Sequence, residues 1–191
     1  MTVRAWLEVR LALAGCWRLA RADRGGLAYF DRSVDGFWRS FRAALLTYPL
    51  YLLLLAMRVT VVQWQDAGGW RIVTVETIAY VIGWVAFPLI ILNIVDRIGR
   101  RDRFFDFMVI YNWSQLPESG LFAIIGIADG IGALGTTGGA FFQVAAALAV
   151  IVYEWFIARV ALDTTAMTAA LVVLVDIVLG LLVSHVAGGL Y

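Results

Sequence analysis

Apolar residues run through this chain in long blocks, separated by short polar or charged joints. A helix needs about 20 predominantly apolar residues to cross a hydrocarbon core. Blocks of about that length fall near residues 43–57, 72–95, 104–128, 140–162 and 166–187. They predict an all-α fold, a polytopic transmembrane helical bundle of about five spans. Residues 1–42 read differently. Trp6, Leu7, Leu11, Leu13, Ala14 and Trp17 recur at roughly helical spacing among charged residues. That pattern predicts an amphipathic helix, lying on the membrane face or packed on the end of the bundle. The chain thus divides into an Arg-rich region, 1–42, and a bundle, 43–191.

The third block is the unusual one. Phe104 to Leu116 is a good helix and Leu121 to Ala128 continues apolar, too long together for one straight span. Pro117 and Gly120 fall between them. Proline removes a helix donor and glycine relaxes the backbone, so span three is expected to break at Pro117. The expected break carries a carboxylate, Glu118. A charge at membrane depth is tolerated where it is buried in protein or faces water.

Between the blocks, Val59 to Trp70 reads as a loop with Trp64 and Trp70 as interface anchors. Asp129 to Gly139, rich in glycine, reads as a flexible connection. Asp163 or Thr164 is the expected N-cap of the last span. Pro88 predicts a kink in the second.

Composition strengthens the membrane reading. The chain of 191 residues is 62% hydrophobic, against about 45–50% for a soluble domain, and its mean hydropathy is +0.85. Net charge is +1, which points to no nucleic-acid partner. All 15 basic residues are Arg. Eight lie in residues 1–42 and four in 97–103, while Arg58 and Arg71 lie at the opposite ends of their spans. The positive-inside rule then places the N-terminus in the cytoplasm and the C-terminus outside, in a cell inner membrane. Arg4, Arg10, Arg18, Arg21, Arg39 and Arg42 are the candidates for contact with anionic lipid phosphates. Arg58 is expected to snorkel at the far end of span one.

The single cysteine excludes an internal disulfide and a cysteine-based metal or redox motif. Leu13-Ala14-Gly15-Cys16 matches a bacterial lipobox, but Glu8 and Arg10 leave too short an apolar run for a signal peptide, so lipidation is not expected. His185 is the one histidine and has no evident nucleophile or ligand partner. No metal, no cofactor and no enzymatic activity are expected.

Two stretches resemble known families. Phe105-Asp106-Phe107 through Leu116-Pro117, and Val152-Tyr153-Glu154-Trp155 through Thr164-Thr165 into Val172-Val173, are similar in hydropathy and polar placement to the Yip family of Rab-interacting membrane proteins. The resemblance covers about residues 40–187. It implies five spans behind a polar N-terminal region and a non-enzymatic role in membrane organisation or traffic. Asp96-Arg97-Ile98-Gly99-Arg100-Arg101 is similar to a loop motif of the major facilitator superfamily. Leu92 stands where that motif has glycine, and the superfamily has about twelve spans; a positive-inside loop with a helix-ending Gly99 accounts for the same residues.

The residues that could carry chemistry are acids within apolar spans. At about 1.5 Å rise per residue, Glu154 lies about 12 Å, Asp176 about 15 Å and Glu118 about 21 Å from the cytoplasmic ends of their helices. Glu76 sits near the outer end of span two. If their faces converge, the four form a staggered carboxyl series, with Asn112, Gln115 and Gln143 as polar companions. Gln143, Ala147, Val150, Glu154 and Ala158 share a small, polar face of span four. The bland alternative is that each acid is packing glue with its own partner. Two functions follow. One is a non-enzymatic membrane-organising or accessory protein, working through lipids, a homo-oligomer or a membrane protein partner. The other is a small channel or proton- or ion-coupled transporter using the acids. What separates them is whether the acids meet beside water.

Overall fold

The computed structural model describes residues 3–191, except for the side chains of Arg4 and Thr136. The expected lipid contact of Arg4 therefore lies outside the described residues. Among these residues the fold is all-helical: α1 Val3–Ala20, α2 Val34–Ser40, α3 Arg42–Arg58, α4 Val61–Ala67, α5 Gly69–Arg97, α6 Phe104–Gly130, α7 Gly135–Ala161 and α8 Ala166–Gly188, with 3-10 turns at Arg24–Tyr29 and Arg101–Arg103. Four stretches are long and apolar enough to cross a membrane: Val34–Arg58, Gly69–Arg97, Thr137–Ala161 and Ala166–Gly188. The chain has the make-up of a multi-pass membrane protein.

α6 is the centre of the bundle. It packs on α1, α2, α3, α5 and α7. Its first half is buried nearly all round, from Phe107 to Ile110 and again from Asn112 to Ser114. A helix with no free face needs neighbours on every side, and the other helices close around it. α3 runs alongside α6 in the same direction: Ser40, just before it, lies beside Asn112, and Met57, near its end, lies against Gly126. α5 runs the other way, its Phe87 beside Phe107 and Tyr111. α8 packs on both α5 and α7.

The expected break at Pro117 is absent. α6 continues through Pro117, as α3 continues through Pro49 and α5 through Pro88. Proline removes one backbone hydrogen bond, but in a helix held on all sides by neighbours that loss need not unwind the turn. The expected loops are also more helical than their composition predicts. Thr60 and Gln63 form a capping box that starts α4 inside Val59–Trp70. α6 and α7 extend into the glycine-rich segment, leaving only 131–134 between them. Thr165, not Asp163 or Thr164, caps α8, accepting from the Thr168 N–H. Gly99 does end α5: its φ is +67°, and Arg100 N–H bonds Val95 O at 2.7 Å.

α1 uses a face the sequence did not advertise. Its outward face carries Trp6, Leu7, Leu11, Leu13 and Trp17. Its inward face is Ala5, Val9, Ala12, Cys16 and Leu19, at spacings of four and three, packed on α6 and α7. Small residues let the helix axes approach closely. The following 3-10 turn folds back on α1 at Gly26, where an added Cβ would lie 2.7 Å from the Gly15 carbonyl oxygen. In the next turn, Ser33 donates its backbone N–H to Asp31 Oδ1 and caps α2 with its hydroxyl. The Ser33 contacts, then Arg39, hold the Asp31 carboxyl below its usual range.

Cys16 is 2% exposed, inside the α1 contact. Burial pushes its thiol up to about 12. At pH 8 its thiolate is therefore scarce, and maleimide labelling of the folded protein is expected to be slower than that of a free thiol by at least about 10³-fold. Labelling followed by mass spectrometry, before and after unfolding, checks this. A free-thiol rate in the folded state would mean that α1 is not docked.

Candidate functional site

On α6, Tyr111, Gln115 and Glu118 are spaced four and three apart and so share one face. That face meets Glu154 from α7 and Asp176 from α8. Tyr111 donates its hydroxyl to Asp176 Oδ1 at 2.7 Å. Glu154 lies between the other two acids, near Glu118, Asp176 and Gln115. Glu118 is 7% and Glu154 8% exposed. Glu118 Oε1 has no hydrogen-bond partner among the described residues. Three of the four expected acids therefore meet, each brought by a different helix.

Asp176 differs from the other two in being only half-buried. It lines a cavity of about 290 Å³ between α3, α5, α6 and α8. The cavity reaches from Asp176, Tyr111 and Gln115 at mid-bundle to Arg58, Glu76 and Ser184 at the far end. The walls are largely aromatic. Tyr80 stands between α3 and α5, bonded to Thr47 Oγ1 at 2.6 Å and to Ala44 O at 2.7 Å. Tyr51 and Trp84 flank it at ring separations of 4.8 and 6.0 Å.

Glu76 does not join the series. Its side chain is 2% exposed and paired with Arg58 Nη2 at 2.6 Å. The hydroxyls of Tyr51 and Tyr191 also donate to it. Arg58, expected to reach for lipid, instead bridges Glu76 and, at 3.2 Å, Ser184 Oγ. Removing Arg58 leaves a buried carboxylate with only tyrosine donors. Arg58→Ala is expected to cost about 2 kcal/mol, below the figure for a fully buried pair because Arg58 is half exposed. Glu76→Gln in the same background should restore part of that loss. Thermal unfolding in detergent checks it; equal stability of the wild type and Arg58→Ala would mean the pair is not formed.

The polar companions separate as well. Asn112 donates to Ser40 Oγ at 2.8 Å, bracing α6 against α2 while lining the cavity. Gln115 stays with the acids. Gln143 is exposed, because the inward face of that half of α7 is carried by Ala146.

Of the six arginines expected on lipid phosphates, several are occupied within the protein. Arg39 and Arg42 both pair with Glu8, at 3.2 and 2.8 Å, and Arg39 also pairs with Asp31. Arg18 pairs with Asp23 at 2.6 Å, and Asp23, accepting from the Gly25 N–H and from Arg18, is held below the usual carboxylate range. Arg21 stacks on Trp17 at 4.7 Å. Arg10 is exposed, with no carboxylate partner among the described residues. The sequence offered no sign of the Glu8 pairings, which span 31 and 34 residues.

Among the described residues, no three His, Cys, Asp or Glu side chains converge closely enough to hold a metal ion. Comparison with family models, with curated proteins and with solved structures finds no match to this chain.

Proposed function

We propose that this is a multi-pass inner-membrane protein that moves protons through Asp176, Glu154 and Glu118, as a small channel or as the coupling path of a transporter. The observation that carries the reading is the convergence of three carboxyls from three helices, with one of them open to a cavity. A protonated carboxyl can donate to a neighbouring carboxylate, so acids gathered in this way can pass protons among themselves. Asp176 takes a proton from water in the cavity. Glu154, near both neighbours, accepts it and gives it to Glu118, whose Oε1, without a partner among the described residues, can receive it. Each step breaks one O–H bond and forms another, and returns the donor to a carboxylate. On the far side of Glu118 the bundle is covered by α1, where Tyr153 donates to the Cys16 carbonyl oxygen at 3.3 Å.

α6 supports a fifth crossing: its 27 residues span about 40 Å. The concentration of Arg at residues 1–42 and 97–103 supports a cytoplasmic N-terminus. The test is proton flux in proteoliposomes under an imposed pH gradient. Flux above that of empty liposomes is the expected result. Folded protein with no flux above empty liposomes overturns the reading.

The second reading is a membrane-organising or accessory protein, the role implied by the Yip resemblance. The outward apolar stripe of α1, with Arg10 exposed beside it, favours contact with anionic lipid or a partner helix. Native mass spectrometry of the purified protein tests it. Retained anionic lipid that is lost on Arg10→Ala supports this reading, and an absence of retained lipid counts against it.

A further inference from the structure

We infer that the cavity between α3, α5, α6 and α8 binds a small organic monocation, with its charged group at Asp176 and its apolar body against the aromatic walls. The inference rests on the carboxyl series being a working site, since Asp176 is its cavity-facing member. Three observations carry it.

The first is charge. Arg58, Glu76 and Asp176 are the charged residues lining the cavity. Arg58 and Glu76 neutralise each other at 2.6 Å. Asp176 accepts from the Tyr111 hydroxyl and, among the described residues, pairs with no cation. The lining is thus complementary to one positive charge. The second is the wall. Tyr51, Tyr80 and Trp84 form one contiguous ring series, and Phe87 packs against Tyr111, the residue bonded to Asp176, with ring centres 4.3 Å apart. Electron-rich ring faces attract organic cations, most strongly where water is excluded. A bare metal ion would need several oxygen ligands at one point, but the Glu76 carboxylate is taken by Arg58, and among the described residues no three His, Cys, Asp or Glu side chains converge on one. The third is size. A volume of about 290 Å³ is at the lower end of the range for small-molecule pockets, enough for a compact amine or quaternary ammonium compound.

The polar groups are also spread along the cavity rather than gathered. Asp176 and Ser184 are eight residues apart on α8, about 12 Å. A ligand with its charge at Asp176 would extend its body toward the Arg58 end. Proton exchange between Asp176 and Glu154 would then alternate with cation binding at Asp176, since a protonated carboxyl no longer holds the cation. That gives the proposed proton path a substrate to couple to.

Benzyltrimethylammonium is a suitable probe because its charge is permanent and its size compact. Its binding to the full chain in a neutral maltoside detergent is measured by isothermal titration calorimetry, against empty micelles, with benzoate as the anionic control. Saturable binding of the cation and none of benzoate is expected. Asp176→Asn should weaken it at least about tenfold, Trp84→Leu should also weaken it, and Asp176→Glu should retain it. Thermal unfolding of each variant shows whether it is folded, and Trp84→Leu, on α5 and outside the carboxyl cluster, keeps the test decisive if Asp176→Asn fails to fold. No saturable binding by the wild type, equal binding of benzoate, or cation binding that folded Asp176→Asn and Trp84→Leu leave unchanged overturns the inference. Proton flux without cation binding removes this inference and leaves the relay standing. Asp176-dependent binding without flux does the reverse.

Discussion

Glu154→Gln is expected to lower proton flux by at least about tenfold, since a positioned acid–base group contributes about 10²–10⁴-fold to proton transfer. Glu154 is the informative position because it stands between the other two acids. Glutamine keeps the size and the hydrogen-bonding capacity of the side chain, so packing on α6 and α8 is little changed. What it loses is the ability to take up and release a proton, and the series is cut in its middle. Glu76→Gln is the matched control. Glu76 lies at the far end of the cavity, held by Arg58 and two tyrosines. Sites so far apart act nearly independently, so its flux should stay within about twofold of the wild type. The measurement is the proteoliposome assay with both variants reconstituted at equal density. Equal flux in Glu154→Gln and wild type would sink the relay. Loss in both variants would show that flux depends on overall integrity rather than on the acid series.

Trp113→Ala is expected to destabilise the protein by about 3–5 kcal/mol, the range for truncating a buried tryptophan. Trp113 is the largest fully buried side chain and sits in the main apolar cluster at the middle of α6. In a membrane the gain from packing helices is mainly close contact, because lipid tails solvate apolar side chains as well as other helices do. The loss on truncation is therefore mostly lost dispersion contact around a void. Trp70→Ala is the comparison. Trp70 is 83% exposed, and its loss should change stability by no more than about 0.5 kcal/mol. Thermal or denaturant unfolding in one detergent, followed by circular dichroism, separates the two. A Trp113→Ala protein as stable as Trp70→Ala would place α6 outside the core.

Much of the architecture was legible along the chain. Apolar blocks located the long helices to within a few residues, as for Ala166–Gly188 against the expected 166–187. Gly99 was legible as a helix end because its role depends on its own backbone freedom. The face shared by Tyr111, Gln115 and Glu118 also follows from spacing alone. Pro117 misled because proline's cost to a helix is a local quantity, and its effect depends on how firmly neighbours hold that helix. Gln143 misled for a related reason. It shares a helical face with Glu154, but the outer half of α7 leaves it exposed.

The sequence by itself determined that the chain is helical, apolar enough to cross a membrane at several places, and asymmetric in its arginines. Those are sums over each segment's own residues: the free energy of transferring a segment into lipid, and the attraction of nearby cations to one membrane face. Only the tertiary structure decided which acid pairs with a cation and which acids lie together. Glu76 and Glu118 are both acids in apolar helices, but Glu76 meets Arg58 and Glu118 meets Glu154. The same holds for α1, whose small residues find α6 and α7 while its tryptophans face outward. Such choices depend on how each helix is rotated and shifted against the others. That is fixed by packing among residues far apart in the chain, and no local pattern encodes it.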